Sequence, residues 1–276
     1  MGKTVVGQYA VAADAIRRDI TSGALPPGAW LPSEAHVMRI YQVSRYSARE
    51  AIKRLAGEGL IIVVDGKGSY VRARRDRATH ADTRGLRREV DARGRVRYVD
   101  ADLAHWHTTE EPGRYRSTAT TDLALSLGVP EHTPVFVYDR LLTHDSTPTP
   151  TLADGAGTPR RMIHRLYLPV ATCAEVPALT QDPFRTPEEL YTLLVDAGRE
   201  LRWVEHVRAT IPSPEDTSTL AIPTGLPVLI TRRVTTDTDG RPIAMEETRR
   251  SAEDTQLSYP HTPPNSGLPC FFRTAV

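Results

Sequence analysis

Between Ser44 and Lys53 the chain sets two arginines, a lysine, a tyrosine and two serines on one short run, Ser44-Arg45-Tyr46-Ser47-Ala48-Arg49-Glu50-Ala51-Ile52-Lys53. Ala48, Ala51, Ile52 and Leu55 recur at i, i+3, i+4 and i+7, the apolar stripe of a helix. Arg45, Tyr46, Arg49 and Lys53 fall off that stripe, the first three in its opening turns. A guanidinium fork matches guanine O6 and N7, and each good bidentate pair discriminates by roughly 1–3 kcal/mol. The hydroxyls of Ser44 and Ser47 and the free amides of a helix start suit phosphate oxygens. A solvated basic face would account for these charges alone. It would not account for the elements around them.

Those elements form an ordered set. Ser33 reads as the cap of a short amphipathic helix with Val37, Met38 and Tyr41 available for a core. Gln42-Val43 is a turn, Ser44 caps the basic helix, and Gly59 stops it after about Glu58. Leu60–Val64 is a β-branched run, Asp65-Gly66 a hairpin signal and Ser69-Tyr70-Val71 the returning strand, with Lys67 and Gly68 at the tip. Tyr9–Ser22 reads as an earlier helix whose apolar face is Tyr9, Ala12, Ala13, Ile16 and Ile20, ended by Gly23. Helix, turn, helix, hairpin is a winged helix-turn-helix, in which the N-terminal end of the second helix reads base edges in the major groove. The expected DNA contacts are Ser33, Ser44, Arg45, Tyr46, Ser47, Arg49, Lys53, Lys67 and Gly68.

These residues resemble the N-terminal domain of the GntR family of bacterial transcription regulators. The resemblance is carried by Tyr9, Ile16-Arg17, Ile20, Gly23-Ala24-Leu25, Pro27-Gly28, Leu31-Pro32-Ser33-Glu34, Val43-Ser44-Arg45, Arg49-Glu50-Ala51, Leu55, Glu58-Gly59-Leu60-Ile61 and Gly66-Lys67-Gly68. Many members carry a DNA-contacting arginine directly after the Leu-Pro-Ser-Glu run; here Ala35 stands in its place.

At 276 residues with 39% hydrophobic content, the chain has room for two modest domains with real cores. No run of 18 apolar residues is present, so no membrane span is expected. No apolar leader is visible at the N-terminus. The two cysteines, Cys173 and Cys270, lie far apart without metal spacing, which fits a reducing cytoplasm. The net charge of +1 hides a split: residues 1–77 hold 13 Lys+Arg against 7 Asp+Glu, and the remainder holds 22 against 27. A basic head on a mildly acidic body fits one domain on DNA and one held away from it. The expected division is 1–75 for the winged head, 76–95 for an arginine-rich connection, 96–260 for the second domain and 261–276 for a tail.

The second part mixes strands and helices, for an α+β fold overall with a mostly antiparallel sheet. Strands are expected at Val96–Ala101, Val135–Thr143, Met162–Leu168, Trp203–Ile211, Pro227–Thr236 and Pro242–Thr248. Helices are expected at Thr121–Leu127, after the capping box of Thr186 and Glu189, and after Ser213-Pro214-Glu215-Asp216. The Pro/Thr-rich run at 144–159 reads as a long hairpin loop or an insertion.

This part resembles the UTRA domain, the ligand-sensing half of the HutC subfamily of GntR regulators. The supporting residues are Ala124–Gly128, Pro134-Val135, Arg140, Tyr167-Leu168-Pro169, Leu190-Tyr191, Gly198, Leu220, Pro223, Gly225–Leu229 and Asp239–Pro242. The resemblance implies a chorismate-lyase-like sheet domain that takes a small, often anionic effector. It places Arg140 at the first of two effector-holding arginines, while the second position is Leu142. The usual closing Asp-Arg-Tyr run is replaced by Asp254-Thr255-Gln256. Arg165 and Glu246 are further effector candidates, although each, like Glu247, also reads as a solvated strand charge.

His105, His107, Glu110 and Glu111 invite a metal reading, but no third ligand follows at a familiar spacing, and a polar loop explains them. No metal or cofactor is expected. No nucleotide loop, GxSxG elbow or HExxH helix is present, so the expectation is a binding protein rather than an enzyme. The leading reading is a cytoplasmic repressor, a homodimer on an inverted-repeat operator of double-stranded DNA, modulated by a small-molecule effector. The alternative is a winged-helix protein-interaction module joined to a small-molecule carrier or degenerate enzyme domain.

Overall fold

Two serines set the geometry of the head. In a computed structural model that describes residues 7–64, 66–72, 82–83, 85–92, 94–145, 159–222, 225–253 and 255–259, α1 spans Gln8–Ser22, α2 Glu34–Tyr41 and α3 Arg45–Gly57. The Ser33 Oγ accepts from the His36 amide at the start of α2, and the Ser44 Oγ accepts from the Ser47 amide at 3.1 Å at the start of α3. Each cap satisfies an amide with no partner inside its helix. Gln42 makes the turn between the helices in the left-handed region, φ 51°, which a short loop between crossing helices requires. The stripe read from the sequence is the buried one: Ala48, Ala51 and Leu55 are fully covered, with Ile52 at the margin. They meet Ala12, Ala13 and Ile16 of α1, Val37 of α2 and the wing residues Ile61 and Val71.

The wing pairs β1 (Ile61–Val64) with β2 (Gly68–Val71) in antiparallel register, Ile61 opposite Val71. Trp30 bridges to Tyr70 and stacks edge-on against it, so the segment before α2 is pinned to the wing.

Next come β3 (Asp82–Thr83), β4 (Leu86–Val90) and β5 (Val96–Asp100), then a 3-10 turn at Ala101–Leu103, β6 (Trp106–Thr108), β7 (Gly113–Thr118) and α4 (Thr121–Leu127). They are followed by β8 (Pro134–His144), β9 (Arg161–Pro169), α5 (Val170–Ala174), α6 (Pro177–Gln181), α7 (Pro187–Asp196) and β10 (Arg202–Thr210). The last elements are α8 (Pro214–Thr219), β11 (Val228–Thr236), β12 (Pro242–Ser251) and β13 (Leu257–Ser258).

Seven of these strands form one antiparallel sheet in the order β10-β11-β12-β9-β8-β6, with β7 sharing the outer edge of β8. Because side chains alternate across a strand, register decides which residues meet. Arg140 lies opposite His164, and His164 opposite Thr248. One face therefore carries Tyr138, Arg140, His164, Leu166, Glu246, Thr248, Thr231 and Arg233. It is covered by α7 and the β4–β5 hairpin through packed rings of Tyr98, Tyr191 and Trp203. The other face is covered by α4, whose Leu123 and Leu127 meet Val135, Val137 and Met245, and by Leu220 and Ile222 at the end of α8.

Several expectations need adjusting. The segment read as a connection, 76–95, contains a strand: β4 pairs with β5, Leu86 opposite Asp100. β7 was not expected either. Both are almost wholly exposed, so neither shows the polar–apolar alternation that marks a half-buried strand. The short α5 and α6, which lack side-chain caps, also gave no signal. Asp65, Arg74, Arg75, Arg77, most of the 144–159 run, Pro223, Asp254 and the tail with Phe271-Phe272 lie outside the described residues. No helix among the described residues is long and apolar enough to cross a membrane.

Head and body touch directly. Arg72, just past the wing, donates to Glu253 at 2.7 Å, with the two side chains only 10% and 14% exposed. Gly225 packs on the end of α3 so closely that a Cβ there would stand 2.6 Å from the Gly57 carbonyl oxygen.

Candidate functional site

The basic face of α3 stands clear of the protein. The side chains of Arg45 and Arg49 are 70% and 63% exposed, and Tyr46, an aromatic with no core role, is 75% exposed. Lys53 continues the face one turn on and is also exposed. Ser44 and Ser47 bring their hydroxyls within 3.0 Å of each other at the helix start, beside amides that an α-helix leaves open. Lys67 and Gly68 sit exposed at the wing tip. A groove of about 440 Å³ runs between wing and helices and brings Ser33, Lys67 and Gly68 together with Trp30, Glu34 and Ile52. The residues read from the sequence thus lie along the exposed face of α3, in the groove and at the wing tip. Glu34 was not among them. Its carboxylate takes the Nε of Arg49 with both oxygens at 3.0 Å and lies 3.8 Å from the Nε of Arg45.

A second polar cluster lies inside the other domain, at a small cavity of about 10 Å³ lined by Asp100, Leu103, His164, Thr231, Arg233, Glu246 and Thr248. That is room for roughly one water molecule. Arg140, only 9% exposed, reaches it through His164. Its Nη2 lies 3.2 Å from His164 Nδ1, and His164 Nε2 lies 3.2 Å from Glu246 Oε2. The neutral tautomer that satisfies both partners accepts at Nδ1 and donates from Nε2. Glu246 also accepts from the Tyr191 hydroxyl, and Arg233 spans Asp100 at 2.6 Å, Glu205 at 3.2 Å and Glu246 at 3.6 Å.

Arg165 is not part of this cluster. It points to the opposite face of the sheet, where it donates to Asp139 at 2.7 Å. Glu246 and Glu247 are both 3% exposed and are not solvated charges. Glu247 also faces the far side, held by Arg232 and Arg249. Leu142, two residues along β8 from Arg140, is buried and apolar, so the cluster draws its second cation from Arg233 on β11 instead. His164, Arg233 and Asp100 were missed in the sequence, where nothing ties them together; only strand register does. His107 pairs with Asp145 at 2.8 Å on the surface, and among the described residues no group of three His, Cys, Asp or Glu is placed to hold a metal ion.

Burial would raise the Glu246 carboxyl, but Arg233 and the hydrogen bonds from His164 and Tyr191 bring it down to about 2. Burial lowers the His164 pKa below 6.5, with Arg140 adding to the effect against the pull of Glu246. The signs separate the two groups. Glu246 contributes stability fully above the ordinary carboxylate range and loses it only as pH falls through about 2. His164 binds a proton more readily when unfolded, so stability is lost as pH falls below 6.5. His164→Gln keeps one donor and one acceptor without the titration. Its thermal midpoint is expected to drop less than the parent's between pH 7.5 and 5.5, and equal drops would remove His164 as the cause.

Comparison with known proteins follows the same division. The profile of the bacterial regulatory proteins of the gntR family matches residues 8–71, and that of the UTRA domain matches residues 162–255. An uncharacterized HTH-type transcriptional regulator of Rhizobium meliloti is 27% identical over 264 residues, covering 93% of this chain and 98% of that one. The histidine utilization repressor of Pseudomonas putida is 26% identical over 235 residues, covering 85% and 84%. The crystal structure of a chain assigned to the GntR-family regulators superposes with a TM-score of 0.62 at 23% identity, covering 94% of this chain and 98% of that one, which speaks for the shared fold. With a winged head matched by one profile and a sheet domain matched by the other, the chain belongs to the GntR family of bacterial regulatory proteins, with a UTRA domain as its second half.

Proposed function

We propose that this DNA-binding transcriptional regulator is a repressor that acts in the bacterial cytoplasm as a homodimer, and that each head reads one half-site of an inverted repeat. The observation that supports this most is the two-sidedness of α3. One side, Ala48, Ala51 and Leu55, is fully buried, while Arg45, Tyr46 and Arg49 project into solvent beside the wing tip. Arg45 and Arg49 read bases in the major groove, Ser44, Ser47 and Lys53 hold phosphate, and Ser33, Lys67 and Gly68 meet the flanking backbone.

The second domain takes a small anionic effector at the Arg140–His164–Glu246 cluster, and binding there shifts operator affinity. In this structure Arg233 is already neutralised by Asp100 and Glu246. An anion entering the cavity therefore exchanges places with a carboxylate rather than filling a vacancy. That exchange prefers an opened domain, and a preference for one state over another is what coupling requires. The chain works by binding, with the exposed arginines of α3 for DNA and the buried cluster for the effector.

Arg45→Ala tests the head. Binding to a duplex selected by the parent chain from a randomised pool is expected to weaken about 5- to 150-fold, the equivalent of roughly 1–3 kcal/mol. Binding to unrelated DNA should change only about twofold, as for one phosphate contact among several. Equal losses on both duplexes would remove Arg45 from base reading.

A further inference from the structure

We propose that Glu34 is the residue that gives the α3 arginines their sequence discrimination, by holding the Arg49 guanidinium through Nε and attracting that of Arg45 beside it; this rests on the reading of that face as the DNA contact. Arg45 and Arg49 are four residues apart, hence neighbours on one helix face, where two like charges repel. Glu34, the first residue of α2, places its carboxylate against that pair. It engages Arg49 through Nε, with both oxygens at 3.0 Å, and approaches Arg45 through Nε at 3.8 Å. Among the described residues neither guanidinium has another hydrogen-bond or ion-pair partner. Contact at Nε leaves the two terminal NH₂ groups of each arginine facing outward, and these form the fork that meets guanine O6 and N7.

The position of Glu34 has a second effect. Among the described residues lining the groove between wing and helices, it is the only acidic side chain. A carboxylate in a surface that faces a polyanion opposes phosphate docking. It therefore lowers affinity for DNA of any sequence, while the oriented arginines regain affinity only where guanine is correctly placed. Discrimination arises from both the attraction and the repulsion.

The test uses the full chain with the duplex that the parent selects from a randomised pool and an unrelated duplex of equal length. Glu34→Gln removes the charge and loosens the arginines. It is expected to raise affinity for unrelated DNA about two- to fivefold, through loss of a like charge near phosphate. It is expected to lower the ratio of selected to unrelated binding about tenfold, within the range of one bidentate contact. Glu34→Asp, which keeps the charge, should recover part of the ratio. A merely structural role would weaken both duplexes alike and lower the melting temperature of the head. An unchanged ratio in Glu34→Gln, with Arg45→Ala still collapsing it, overturns this proposal alone. If the parent selects no duplex, or Arg45→Ala leaves the ratio intact, the underlying reading fails and this one with it.

Discussion

Asp102→Ala is expected to destabilise the second domain by about 3–5 kcal/mol, the usual consequence of breaking a buried ion pair from one side. Arg250 is 1% exposed and Asp102 is fully covered. Two parallel bonds join them, Nη1 to Oδ1 at 3.2 Å and Nη2 to Oδ2 at 2.6 Å, with the Trp106 ring under the guanidinium. Alanine at 102 removes the carboxylate and with it both of these charge-assisted bonds to the buried guanidinium. Asp102 also belongs to the 3-10 turn that brings Asp100 and Leu103 to the cavity, so the cavity wall should loosen together with the stability. Urea unfolding followed by the fluorescence of Trp106 and Trp203 reads the effect. A shift below about 1 kcal/mol, the scale of an exposed pair, would mean that the ion pair does not act as a buried one.

Leu55→Ala is expected to unfold the head selectively. Leu55 is fully buried between the three helices and the wing. Truncating such a leucine costs about 2–5 kcal/mol, the spread reflecting how far the cavity collapses. A unit the size of this head holds only roughly 3–10 kcal/mol at typical values per residue. Operator binding should therefore be lost even though no DNA-facing atom changes. Hydrogen exchange should speed up across α1 to α3 while amides of β9 and β12 keep their protection. Binding within twofold of the parent would show that the head tolerates the cavity. Uniform loss of protection in both domains would show that the two halves fold as one unit.

The head was legible because its signals are local. A cap serine acts three residues ahead, a helical stripe repeats within two turns, and a glycine ends a helix where it stands. Ser33, Ser44, Gly59 and the Ala48–Leu55 stripe needed no knowledge of distant chain. The effector cluster was legible only in fragments. Arg140 and Glu246 were picked out, but Arg165 was grouped with them although it projects to the other face, one residue out of phase with His164. Glu246 and Glu247 read as solvated because Arg233 and Arg232, which hold them, sit on the neighbouring strand β11; Arg249, two residues along β12 from Glu247, is the one local partner. β4 and β7 escaped because an exposed polar strand leaves no period to read. Glu34 was seen as part of a motif, but its hold on Arg49 spans two helices.

The Arg72–Glu253 pair and the seat of Gly225 against Gly57 bear on how the two halves communicate. β12 carries Glu246 and Thr248 at the cavity and runs on to Glu253. β11 carries Thr231 and Arg233 and begins just after Gly225. Both sensor strands thus end on the recognition unit itself, one at the wing and one at the foot of its reading helix. On the proposed reading these two strands are the direct physical connection, so that a change at the cavity would reach the head along β11 and β12.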